Sequence, residues 1–108
     1  MTVTDLVLDP QVHIHGTVSR EVAGYARQKV LAALHHAPAP VLRIRLTLDS
    51  AAPGDRVDVQ VDVNGAGVHV HAVGETMTEA VDLLQERLRS RLRHMRRRPA
   101  QGPRVRTV

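Results

Sequence analysis

The chain contains no cysteine, which rules out a disulfide framework, a thiolate metal site and a cysteine nucleophile. Aromatic side chains are almost missing as well: one tyrosine, no tryptophan and no phenylalanine in 108 residues. Proteins that hold single-stranded nucleic acid stack its bases on exposed aromatic rings, and a lone Tyr25 inside a helical stretch offers no such platform. No apolar run approaches the roughly 18 residues of a membrane span. The N-terminal MTVTDLVLDP has neither the basic start nor the apolar stretch of a signal peptide. The default expectation is therefore a cytoplasmic protein with no membrane partner. Lysine is scarce, with Lys29 standing alone among fifteen basic residues. High-GC coding explains a choice of Arg over Lys, but it does not explain where the arginines stand.

The last absence is of acid at one end. Residues 1–86 carry six basic and eleven acidic side chains, a balance of −5, whereas residues 87–108 carry nine arginines and no acid, a balance of +9. A molecule polarised in this way is steered toward polyanions. A solvated helix face normally mixes signs. Like charges at i,i+4, such as Arg87/Arg91 and Arg89/Arg93, each cost a few tenths of a kcal/mol without a partner.

Apolar residues make up 43% of the chain and fall in short patterned runs, as expected of one small domain with one core. QVHIHG sets Val12 and Ile14 against His13 and His15, a short strand closed by Gly16. The period then lengthens. Val22, Ala26, Val30 and Ala33/Leu34 recur at three to four residues, predicting a helix with Ser19 as N-cap and Pro38 and Pro40 as its stop. Three alternating runs follow. Leu42, Ile44, Leu46 and Leu48 share a face; so do Val57, Val59, Val61 and Val63; so do Val68, Val70 and Ala72. APGD marks one turn between them, and NGAG marks a hairpin. Each strand has one apolar and one polar side, so the sheet has one covered face and one wet face.

RLRSRLRHMRRR (residues 87–98) holds seven arginines in twelve residues and alternates locally like a strand. Extending the window back resolves it. Met77, Val81, Leu84, Leu88, Leu92 and Met95 are spaced 4, 3, 4, 4, 3, a helical stripe capped by Thr76 or Thr78. The predicted fold is an α/β two-layer sandwich of order β-α-β-β-β-α, with a four-stranded mixed sheet and two helices on one face. The first two strands should be parallel or separated by a right-handed crossover. Residues 1–10 read as a flexible leader, 11–98 as the folded domain, and 99–108 as a flexible tail or the start of a linker.

Chemistry other than charge finds little support. Two imidazoles on one strand face, as in H-I-H and H-V-H, can hold a metal. With strands in the order 1-2-3-4, the two pairs sit on opposite sheet edges, three spacings of about 4.8 Å apart. No metal, cofactor or small-molecule substrate is expected. The serines, Ser19, Ser50 and Ser90, stand at a cap, a turn and the arginine helix, and GAG lacks the Lys-Ser/Thr of a phosphate loop. An enzyme is not expected.

VNGAGVHVHAVGETMTEAVDLLQERLRSRL, residues 63–92, resembles the ribosome hibernation-promoting factor family, also called the ribosome-associated inhibitor or sigma-54 modulation family. Gly74, Met77, Ala80, Asp82, Leu84, Arg87, Leu88 and Leu92 match its pattern of a V-N-G turn, a histidine-bearing strand and a basic-leucine helix, and Gly16 and the Tyr25/Lys29 spacing match upstream. The resemblance implies the same β-α-β-β-β-α fold. It also implies a cytoplasmic stress or stationary-phase factor that binds ribosomal RNA of the small subunit where mRNA and tRNA lie. Lys29, Arg87 and Arg96 correspond to basic positions of that family, whereas Ala32, Thr78 and Ser90 depart from it. The candidate RNA contacts are Arg27, Lys29, Arg43, Arg45, Arg87, Arg89, Arg91, Arg93, Arg96 and Arg97. Long members carry a further dimerisation domain, so a short-type factor, the first part of a long one, and a homodimer all stay open. The rival expectation is a general nucleic-acid-binding or interaction module of the same fold without ribosome specificity.

Overall fold

Alternation of valine or leucine with polar residues produces three nine-residue strands in the computed structural model, which describes residues 9–51 and 53–97. These strands are β2 (Val41–Asp49), β3 (Asp55–Val63) and β4 (Ala66–Gly74). The β3–β4 hairpin turns at Asn64 and Gly65, both at positive φ (52° and 97°), as a turn matched to strand twist requires. A short edge strand, β1 (Gln11–His15), pairs in parallel with β2, and the sheet order is β1-β2-β3-β4. Parallel adjacency is thus the arrangement adopted by the first two strands. Most of the expected leader, the expected tail at 99–108, Arg98, and the side chains of Arg96 and Arg97 lie outside the described residues.

The crossover from β1 to β2 is α1 (Arg20–Ala33), extended by a 3-10 turn over Leu34–His36. Ser19 caps it, its hydroxyl accepting from the Val22 N–H at 3.1 Å. The second helix is α2 (Met77–Arg97). Of the two candidate caps, Thr76 serves: its hydroxyl accepts from the Glu79 N–H at 3.1 Å, and the Glu79 carboxylate accepts from the Glu75 N–H at 3.1 Å. Met77, Val81, Leu84, Leu88 and Leu92 are buried and Met95 is half-buried, so the arginine alternation is helical, not extended. α2 packs on β4 and β3, with α1 beside it. The result is the expected two-layer sandwich.

Two apolar residues depart from the pattern. Leu42, expected on the core face with Ile44, Leu46 and Leu48, is 54% exposed, because the β2–β3 register slips between Val41 and Arg43 and turns it outward. Ile14 keeps the core-side parity of β1, paired with Leu48, but stays 44% exposed on a short edge strand.

The connections also fix direction. Each helix follows a strand and returns along the sheet, so α1 and α2 run the same way and finish at the end where β2 and β4 begin. Arg43 and Arg45, early in β2, are at that end, together with the C-terminal half of α2.

Two glycines separate space from necessity. At Gly74, where β4 hands over to α2, an added Cβ would lie 2.7 Å from the Ala80 nitrogen and 3.0 Å from the Thr76 oxygen. At Gly24, inside α1, it would meet nothing within 4 Å. Gly24→Ala should therefore raise unfolding stability by about 0.5–1 kcal/mol, and Gly74→Ala should lower it by about 1–3 kcal/mol. Urea denaturation of both variants checks this; a shift of the same sign in both would contradict it.

Candidate nucleic-acid interface

Packing of α2 sorts its arginines onto two flanks. Arg87, Ser90, Arg91 and His94 recur at three- and four-residue steps along one side. The Arg87 guanidinium donates to the His71 carbonyl at 2.9 Å, which places this side against the free edge of β4. His69, His71, Arg87, Ser90 and Arg91 wall an open cleft of about 410 Å³ there. On the other side, the Gln85 amide donates to the Lys29 carbonyl of α1 at 3.3 Å. Arg89 and Arg93, one and two turns beyond Gln85, continue that flank. Arg89 is half-buried, and its Nε is buried without a hydrogen-bond partner.

Two cations of α1, Arg27 and Lys29, are met by acid. Arg27 pairs with Asp9 at 2.9 Å. Lys29 lies 4.0 Å from the Asp82 carboxylate and 5.2 Å from the centre of the Tyr25 ring, and the Tyr25 hydroxyl donates to the same carboxylate. Arg56 is likewise taken up, donating to Asp58 at 3.0 and 3.3 Å. By contrast, Arg43, Arg45, Arg89, Arg91 and Arg93 have no acidic partner among the described residues. Asp62 stands opposite Arg43 in the sheet but accepts from the Gly65 N–H at 2.6 Å.

Arg43 and Arg45 lie on the wet face of the sheet, away from the helices, where they line a depression of about 400 Å³ with Gln60 and His69. His69 borders this depression and the α2 cleft alike. The two basic regions are therefore continuous around the edge of β4. His69 also approaches Asp58 at 3.2 Å. Partial burial alone would raise the Asp58 carboxyl, but hydrogen bonds from Arg56 and His69 outweigh it and hold it below the usual carboxylate value. The two histidine pairs do sit on opposite edges, His13 and His15 on β1 and His69 and His71 on β4. No group of three or more metal-ligating side chains forms among the described residues.

The structure thus brings Arg43, Arg45, Arg87 and Arg91 toward one edge, sets Arg89 and Arg93 on the far flank of α2, and keeps Arg27 and Lys29 in ion pairs. Sequence reasoning overlooked His69, His71 and Ser90 as walls of the cleft. Its one signal was the alternation of β4, which exposes both imidazoles on a strand leading into the arginine helix. Among the described residues, no helix is long and apolar enough to cross a membrane.

Residues 11–99 match the sigma 54 modulation protein / S30EA ribosomal protein family. No curated protein matches the sequence. Among solved structures, the chain is similar to the N-terminal domain of Protein Y from Thermus thermophilus, with a TM-score of 0.69 and 19% identity, covering 82% of this chain and 100% of that one. It is also similar to a ribosomal subunit interface protein from Coxiella burnetii, with a TM-score of 0.62 and 20% identity, covering 80% and 94%. At these identities the likeness establishes the fold.

The Tyr25–Asp82–Lys29 cluster can be read spectroscopically, because the chain has one tyrosine and no tryptophan. The hydrogen bond to Asp82, then partial desolvation and the nearby carboxylate charge, raise the Tyr25 phenol above its ordinary value, with Lys29 opposing. A raised value in the folded state means that this contribution to stability is complete below the unfolded phenol's range and is lost as pH climbs through the folded one. Phenolate absorbance should titrate above the ordinary range in the native protein and fall back in Asp82→Asn. An unchanged midpoint in the variant would contradict the cluster.

Proposed function

This chain belongs to the sigma-54 modulation protein / S30EA ribosomal protein family, and we propose that it is a non-enzymatic translation factor that docks on ribosomal RNA of the small subunit. The observation that carries this reading is the gathering of arginines without acidic partners where both helices end: Arg43 and Arg45 from β2, with Arg89, Arg91 and Arg93 from α2. Charges left without an internal partner favour an external polyanion, and guanidinium forks suit phosphate. Arg87, Arg96 and Arg97 extend the same helix. Arg27 and Lys29 contribute less, because phosphate must compete with Asp9 and Asp82 for them.

Contacts of this kind read phosphate and shape, so the target is folded RNA and not a stacked single strand. The factor works by occupancy: seated in the path of mRNA and tRNA, it blocks translation without a chemical step. On this reading it acts in the cytoplasm during stress or stationary phase, with residues 11–98 as the ribosome-binding domain. The name of the Coxiella burnetii protein, a ribosomal subunit interface protein, supports the same partner.

The test leaves Arg87 in place, since its guanidinium holds the β4 edge. Replacing Arg91→Glu together with Arg93→Glu should abolish cosedimentation with small subunits while leaving the circular-dichroism spectrum and melting transition intact. Milder Arg91→Gln/Arg93→Gln replacement should lower the slope of log affinity against log salt by about two. Unchanged pelleting of the Glu variant would overturn the assignment of the interface to α2.

A further inference from the structure

We propose that the cleft between the free edge of β4 and α2 is a phosphate-binding subsite for RNA in which His69 and His71 strengthen the grip as pH falls. The proposal rests on the RNA-binding reading above and adds the residues and the regulation of one contact. The walls of the cleft are His69, Val70, His71, Arg87, Ser90 and Arg91, none of which carries a carboxylate, and the exposed imidazoles of His69 and His71 stand at its rim on the wet face of β4. Arg87 is already oriented by its 2.9 Å bond to the His71 carbonyl. The two imidazole centres are 6.3 Å apart, a span that the oxygens of one phosphate group can bridge.

The neighbouring elements set how the imidazoles behave. On β3, Asp58 pairs with His71 across the strands and lies 3.2 Å from His69 Nε2, while Gln60 stands opposite His69. Arg56 donates twice to Asp58, so that carboxylate is ionised and largely neutralised before His69 is counted. On β2, Arg45 lies in the row of Gln60 and His69, and Thr47 in the row of Asp58 and His71. On α2 the facing groups are Arg87 and Arg91, with His94 one turn on.

The bond to Asp58 selects the tautomer of His69 with its proton on Nε2. In the neutral ring, Nδ1 then carries a lone pair, which repels a phosphate oxygen. Protonation turns Nδ1 into a donor and adds a positive charge. His71 gains a donor and a charge in the same way. Each proton taken up on binding raises affinity by up to about tenfold per pH unit.

The test uses the full chain and a labelled folded RNA, a ribosomal hairpin of the small subunit, at constant ionic strength between about pH 8 and pH 6. Wild-type affinity should rise as pH falls. In His69→Gln/His71→Gln the rise should flatten. As a second measurement on the wild type, inorganic pyrophosphate should shift the ring resonances of His69 and His71 and leave those of His13 and His15, at the far edge, in place. A double variant that keeps the wild-type pH slope overturns the subsite, as do equal pyrophosphate shifts in both histidine pairs. Wild-type protein that fails to bind the RNA at any pH overturns the broader RNA reading as well.

Discussion

Everything in this molecule depends on the seating of the α2 apolar stripe against the valine face of β3 and β4. With a single aromatic residue, the core is built from aliphatic side chains, chiefly Val, Leu and Ala with Ile44 and Met77. Leu84, Leu88 and Leu92 are fully buried and sit on the same helix as the arginines. Each buried leucine contributes roughly 1.5–3 kcal/mol. The stripe therefore does two jobs: it closes the core, and it fixes which way Arg87, Arg89, Arg91 and Arg93 are turned. A rotation of α2 that moved its arginines would also lift the leucines off the sheet.

From that seat follows the sorting of charge. Arg87 and Arg91 meet the edge of β4, while Arg89 and Arg93 run along the flank toward α1. The parallel course of the two helices puts the arginine-rich half of α2 beside the start of β2, so Arg43 and Arg45 join the same end although they are far away in sequence. Acidic side chains are spent locally: Asp9 on Arg27, Asp82 on Lys29 and Tyr25, Asp58 on Arg56 and His69. Among the arginines left without an acidic partner in the described residues, Arg43, Arg45 and Arg91 lie toward the β4 edge in a basic band, and Arg89 and Arg93 run along the other flank of α2.

Much of this was legible in the sequence because it rests on period. The stripe from Met77 to Met95 overrode the local R-L-R-S-R-L-R alternation, and the Asn64–Gly65 turn and the Ser19 cap follow from local backbone chemistry. Other features have no periodic signature. A one-residue register slip leaves the alternation of β2 intact, so nothing in VLRIRLTLD marks Leu42 as turned outward. Tyr25 and Asp82 are 57 residues apart, and Arg27 and Asp9 are 18 apart; ion pairs at such separations arise only when the elements dock. For the same reason the arginines could be identified as a set but not divided into paired and unpaired members. His69 and His71 read as wet-face residues, and they are exposed; their place in a cleft needed the position of α2.

The central claim is that this basic band meets the small ribosomal subunit and not polyanions in general. Cosedimentation of the protein with small subunits across a salt series, against excess free tRNA, tests it most directly. The account predicts saturable binding near one molecule per subunit that weakens steeply with salt, as phosphate contacts must, yet persists in excess tRNA at physiological ionic strength. Binding that physiological salt erases and tRNA displaces would contradict it, and would leave the arginine helix a generic polyanion patch on a familiar fold.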